Sequence, residues 1–239
     1  MLIRFGFSPV ILMVIVTFLW PLTALAGDLE SGIIAYKKGQ YHLAWQLLKP
    51  LADVGIIEAQ RRIGVMYRHG QGVKRNDKEA IKWYQKAAEQ GHIRAQNSLG
   101  IMYRFGLGVK RNPEEGAKWL LAAAKQGDSK AQENIASMYL TGIGVARDDK
   151  AAAKWFTLAA KQGQRKAQLS IGLMTLAGRG GRKSESSGME WVEKAAINGS
   201  AKAASALAKA HAEGLYGFSI NIEKAKYWYR RAENKSSYK

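Results

Sequence analysis

One stretch constrains the fold of this chain more than any other. Residues 95–130 read AQNSLGIMYRFGLGVKRNPEEGAKWLLAAAKQGDSK, and near-copies begin at Ala59, Ala131, Ala167 and Ala203, at a constant spacing of 36 residues. Gly70, Gly106, Gly142, Gly178 and Gly214 coincide in the copies, as do Trp83, Trp119, Trp155 and Trp191. Self-similarity at a fixed period of this size marks a solenoid, in which a unit buries its apolar face only by stacking on the next.

Each block divides into two helices. Ala59, Ile63, Gly64 and Tyr67 share one helical face, which defines a first helix. Gly64 and its counterparts Gly100 and Gly172, with Ala136 and Ala208 as small substitutes, let a neighbouring helix approach closely. Gly70 suits a left-handed C-terminal cap, and Val73 is the apolar anchor of the loop that follows. The second helix opens at Asn112, with Pro113 in the first helical position and Glu115 set to complete a capping box; Asn76 with Glu79, Asp148 and Ser184 repeat the cap position. Ala80, Trp83, Ala87 and Ala88 then form its buried face, and the tryptophans are predicted to be core wedges. Truncation of one, such as Trp119→Ala, is expected to cost about 3–5 kcal/mol.

The repeats run 59–94, 95–130, 131–166 and 167–202, with a last one at 203–233 and an unpatterned, frayed tail at 234–239. Residues 27–58 form a shortened first unit with helices over 29–38 and 41–54, the second kinked or shortened by Pro50. In the last repeat one inserted residue between Gly214 and Gly217 puts Trp228 out of step and leaves Phe218 as loop anchor. The loop 178–188, GRGGRKSESSG, has Gly181 where others have an apolar anchor. It is predicted to be mobile and basic, with Arg179, Arg182 and Lys183 as a candidate for anion binding.

The segment 1–26 has a different character. Arg4 precedes an apolar run from Val10 to Trp20 broken only by Thr17, then Pro21 and Ala24-Leu25-Ala26, the layout of a secretory signal peptide cleaved after Ala26. The run is short for a membrane span, and an uncleaved anchor is the alternative. The expected location is therefore periplasmic or secreted. Export changes the meaning of the formal charge of +18. A basic exported chain meets acidic proteins, cell-wall polymers, polysaccharide or lipid head groups rather than nucleic acid.

Signals of catalysis are missing. With no cysteine, disulfides and thiolate metal sites are excluded. His42, His69, His92 and His211 share neither a repeat position nor a metal-ligand spacing, so no metal is expected, and no cofactor. There is no phosphate loop, zinc-protease helix or nucleophile elbow. The glycine doublets Gly70–Gly72 and Gly106–Gly108 recur in successive units, as turns do and a catalytic loop does not.

The pattern Ala-x3-(Leu/Ile)-Gly-x2-Tyr-x2-Gly-x-Gly-Val, followed by Ala-x2-Trp-x3-Ala-Ala-x2-Gly, resembles the Sel-one-like repeat, a relative of the tetratricopeptide repeat with a longer loop. The resemblance implies an all-α fold, a right-handed solenoid of antiparallel helix pairs. It also implies a protein–protein interaction scaffold; exported bacterial members serve envelope complexes, polysaccharide export, flagellar motors or host contact. One branch, rich in cysteine, binds or hydrolyses β-lactams, and a chain without cysteine resembles it poorly.

In such superhelices the first helices line a concave groove. Residues off the packing face are then candidates for contact with a partner: Arg61, Val65 and Arg68; Asn97, Ile101 and Arg104; Leu140; and Leu169, Leu173 and Leu176. The groove is basic early and apolar late. The expected function is a non-catalytic scaffold or adaptor holding a peptide or protein segment there. Binding of an anionic glycan or lipid surface is the alternative, and a β-lactam hydrolase the remotest.

Overall fold

The computed structural model describes residues 27–233. The segment 1–26, read above as a signal peptide, and the tail 234–239 lie outside the described residues. Among the described residues there are twelve helices and no strand. They come in pairs joined by short loops: α1 (27–37) with α2 (Tyr41–Asp53), α3 (Ile57–His69) with α4 (Asp77–Glu89), α5 (Ile93–Phe105) with α6 (Pro113–Lys125), α7 (Ser129–Thr141) with α8 (Asp149–Lys161), α9 (Arg165–Leu176) with α10 (Glu185–Ile197), and α11 (Ala201–Glu213) with α12 (Ile222–Glu233). No helix among them is long and apolar enough to cross a membrane. The described residues divide into two compact units, 27–95 with 107–109 and 96–106 with 110–233, so the division falls within α5. Within each unit the helices stack pair on pair, as in an α-solenoid.

Helix pairing follows from size matching. In the first unit Tyr84 is buried against Gly64, where an added Cβ would meet its ring. In the second, Leu120 fills the space over Gly100 and Val192 that over Gly172, while Phe156 shares a core cluster with Ala136. These are the residues immediately after the tryptophans. Trp83 and Trp228 are buried, but Trp119, Trp155 and Trp191 are only half-buried. The role of core wedge thus belongs to the next position along, because that one faces the small residue of the first helix. The larger truncation cost moves with burial, from Trp119 to Leu120, at about 2–5 kcal/mol for Leu→Ala.

The helix ends form largely as their sequences dictate. Gly70, Gly106, Gly142 and Gly214 are left-handed, with φ of 67, 72, 72 and 69°. Asn76, Asn112, Asp148 and Ser184 each accept a backbone N–H of the helix they open. The reciprocal half of the capping box does not form. The N–H of Asn112 already donates to the Tyr103 carbonyl at 2.8 Å, and that of Asn76 to Tyr67 at 2.8 Å. Glu115 and Glu79 therefore turn to Lys118 and Lys82. α2 continues through Pro50 for one further turn.

A buried amide ladder, not anticipated from the sequence, ties each pair to its neighbour. Gln60 donates to the Ala52 carbonyl at the end of α2 and accepts from Gln90 at the end of α4, at 2.8 Å. In the second unit Gln132 bonds Ala124 and Gln162, and Gln168 bonds Ala160 and Asn198, in the same way. Gln126 likewise donates to Gln96. Gln60, Gln132 and Gln168 each meet a carbonyl of the preceding repeat and an amide 30 residues on, so these buried side chains are left paired. In the last repeat the position is Ala204.

The loop 178–188 has a tether that replaces its missing apolar anchor. Arg179 donates through Nε and Nη2 to both carboxylate oxygens of Asp149, each at 2.9 Å. Gly180, with φ of 76°, sits against the Asp149 carbonyl, where a side chain would not fit. Phe218, anchor of the last loop, packs 4.4 Å from the His211 ring between centroids.

Candidate functional site

The second residue of each first helix occupies the same place in the repeat: Glu58 in α3, Arg94 in α5, Lys130 in α7, Lys166 in α9 and Lys202 in α11. What surrounds that position differs between the two units. In the first, Glu58 is saturated. Arg61 reaches it through Nε and Nη2 at 2.9 and 2.8 Å, Arg62 at 2.7 Å and His92 at 3.0 Å. The Arg61 and Arg62 side chains are only 11% and 14% exposed. Burial pushes the Glu58 carboxyl up, but the hydrogen bonds of Arg61 and His92 and the charges of both arginines overcome this. They hold it well below the usual carboxylate range. Burial likewise opposes the Arg61 charge, and Glu58 more than restores it. Arg62 also lies over the Tyr36 ring, whose hydroxyl donates to Gln71.

In the second unit the starts of α7, α9 and α11 are open. A cleft of about 760 Å³ lies between α9 and α11, lined by Arg165, Lys166, Leu169, Ser170, Ser200 and Lys202 among others. A second of about 450 Å³ lies between α7 and α9, lined by Lys130, Glu133, Asn134 and Lys166. Lys130, Lys166 and Lys202 are exposed, and none forms an ion pair with a described residue. Arg165 fixes one guanidinium nitrogen on the Gly199 carbonyl at 3.1 Å. Burial raises the Glu133 carboxyl, with Lys166 and Lys130 pulling the other way. Leu173, one turn beyond Leu169 along α9, is 49% exposed.

The residues expected to line a groove are distributed unevenly. In the first unit Arg61 is locked in the Glu58 cluster and so withdrawn from a partner, while Val65 and Arg68 are half-buried. In the second, Asn97 accepts from Asn134 at 3.3 Å, and Ile101 is half-buried. Arg104, disfavoured in its charged form by burial and by Arg111, lies 5.0 Å over the Phe105 ring. Leu140 packs against the core around α8 and α9. The leucine stripe splits: Leu169 and Leu176 pack against the core of α10 to α12, and Leu176 fills the space over Gly188. Leu173 alone of the three projects into solvent.

The basic loop does not assemble an anion cradle. Arg179 is taken by Asp149, Lys183 faces Glu185 at 3.4 Å, and Arg182 is exposed apart from them. Among the described residues no group of three or more His, Asp or Glu side chains could hold a metal ion. The lysines of the second unit are what sequence reasoning missed. Their signal was present: a basic residue precedes the opening alanine in four successive blocks, at Arg94, Lys130, Lys166 and Lys202.

The family model described as the Sel1 repeat matches five successive segments, residues 57–92, 93–128, 129–164, 165–200 and 201–237. Among solved structures, the chain is similar to a Sel1 repeat protein from Oxalobacter formigenes, with 33% identity and a TM-score of 0.81 over 86% of this chain and 84% of that one. It is also similar to c5321, a protective antigen present in uropathogenic Escherichia coli strains, with 29% identity and a TM-score of 0.84. That match covers 88% of this chain but 46% of the antigen, so the chain spans less than half of that protein. The immunity protein Pa5087 from Pseudomonas aeruginosa, at 17% identity and a TM-score of 0.52 over 85% of this chain and 81% of that one, shares the fold alone. A comparison with curated proteins gave no match. Sel1 repeat proteins are in general scaffolds for protein–protein interaction. Five matched repeats, size-paired helices and the left-handed glycine after each first helix place the chain in the Sel1 repeat family.

Proposed function

We propose that this protein is a non-catalytic scaffold that docks a segment of another protein along the first helices of its second unit. The observation that carries this reading is the open face at α9. There Leu173 is half exposed, one turn beyond a cleft that no carboxylate lines and whose lysines form no ion pair with a described residue, whereas the matching position in the first unit is closed by Glu58. Repeat proteins bind partners on such extended faces. An exposed aliphatic side chain flanked by cations offers both area and charge to a peptide. Export is part of the proposal and rests on the apolar run and Ala24-Leu25-Ala26. Amino-terminal sequencing of the protein from its native host is expected to begin at Gly27; a chain retaining its first residues overturns export.

A photo-reactive residue placed at Leu173 of the full-length protein, in that host, tests the docking face. Protein adducts are expected from position 173 and not from Leu158, which is exposed on α8. Equal adducts from both positions, or adducts of lipid or polysaccharide, sink the reading.

A further inference from the structure

The charge balance of the cleft indicates what kind of segment it takes. Lys166 and Lys202 stand on either side of the larger cleft, and Arg165, steadied by the Gly199 carbonyl, completes its rim. No carboxylate lines that cleft, so three cations lie at one opening; Glu133 in the adjoining cleft offsets Lys166 in part but forms no ion pair with it. Holding like charges together is unfavourable until an anion arrives, and an arriving anion gains from all of them. Leu169 forms part of the same wall, and Leu173 follows one turn later, about 6 Å along the helix axis. Carboxylate and aliphatic recognition are therefore side by side.

We propose that the docked segment is acidic, setting one or more Asp or Glu carboxylates, or a terminal carboxylate, between Lys166 and Lys202 and an aliphatic side chain on Leu169 and Leu173. This inference rests on the docking reading above. A uniformly anionic polymer fits less well, for two reasons. It has no apolar group to cover the leucines, and its track towards Lys130 crosses Glu133, half-buried in the adjoining cleft. A peptide places a neutral or N–H-bearing residue opposite Glu133.

The full-length protein is titrated with a short fluorescein-labelled peptide of glutamate and leucine, amidated at its end. It is compared with the same peptide carrying glutamine for glutamate, the same peptide with a free carboxylate, and oligogalacturonate. The glutamate peptide is expected to bind at least about tenfold more tightly than the glutamine peptide or oligogalacturonate. Lys166→Glu with Lys202→Glu abolishes this, Leu173→Asp weakens it, and Lys154→Glu, on the exposed face of α8, leaves it unchanged. Tighter binding of the free-carboxylate form assigns the terminal carboxylate as the group held; equal binding assigns side chains. Equal binding of the glutamine peptide, with no gain from the free carboxylate, overturns the acidic assignment. Preferred binding of oligogalacturonate, insensitive to Leu173→Asp, replaces the peptide with an anionic glycan. If neither peptide binds while adducts still form at position 173, the acidic inference fails and the docking reading survives; if those adducts are missing too, both fail.

Discussion

Two carboxylates show how the halves of this molecule use charge differently. Glu58 in the first unit is surrounded by Arg61, Arg62 and His92, and its acidity is strengthened. Glu133 in the second lies between lysines that do not close on it, and burial raises its carboxyl. The same repeat fold therefore carries a self-satisfied cluster at one place and unsatisfied cations at another. The first is a structural joint, since its charges are spent on each other. The second leaves its exposed lysines without an internal ion pair.

The strongest way to break this contrast is to remove the anion that closes the first cluster. Glu58→Gln leaves Arg61 and Arg62 largely buried without their acceptor, and is expected to destabilise by about 2 kcal/mol in thermal or denaturant unfolding. A loss below about 0.5 kcal/mol would mean that the cluster is not a joint. Its pH signature has a definite sign. A carboxyl held below its unfolded value, about 4.3 for glutamate, adds stability that is complete above that pH and fades as pH falls beneath it. Glu58→Gln is therefore expected to flatten the acid limb of the stability profile.

Asp149→Asn acts on the tether of the loop 178–188. Its carboxyl is lowered to about 2 by hydrogen bonds from Arg179 and Arg147, so the tether is complete above about pH 4 and lost as pH falls towards 2. Limited proteolysis at neutral pH is expected to cut the variant first between Gly178 and Gly188, faster than the parent chain. First cuts in the loop at Gly106 instead would count against this loop as the weak point. Glu133→Gln sharpens the comparison from the other side. A raised carboxyl loses stability as pH rises through its folded value, so the substitution is expected to add a few tenths of a kcal/mol at neutral pH. Smallest of all, Lys130→Gln, Lys166→Gln and Lys202→Gln are each expected to change stability by less than about 0.5 kcal/mol, since none closes an internal pair.

The fold was legible because its determinants are local and repeated. Gly70 and Asn112 announce a helix end and a helix start within a few residues, and their roles depend on backbone geometry close by. Tryptophan burial was harder. Helical spacing gives a face, but not which of two neighbours on it meets the small residue opposite, and Leu120 rather than Trp119 does so. Arg61 illustrates a local pair passed over: Glu58 three residues earlier is a sufficient partner on one helix. Arg179 and Asp149 lie 30 residues apart and meet only through stacking of successive repeats, which no local pattern reports. The lysines of the second unit were visible at every period but lay just outside the helical face chosen for the groove.

The glutamine ladder has a consequence for how such a chain changes over generations. Gln132 finds its partners 8 residues back and 30 residues ahead, and Gln168 uses the same offsets. A duplication or excision of one whole period restores both partners across the new junction, while any other length strands a buried amide. The ladder therefore acts as a reading frame for recombination. It lets the array lengthen or shorten by whole modules and penalises intermediate steps, and Ala204 leaves the joint between α10 and α11 outside this rule.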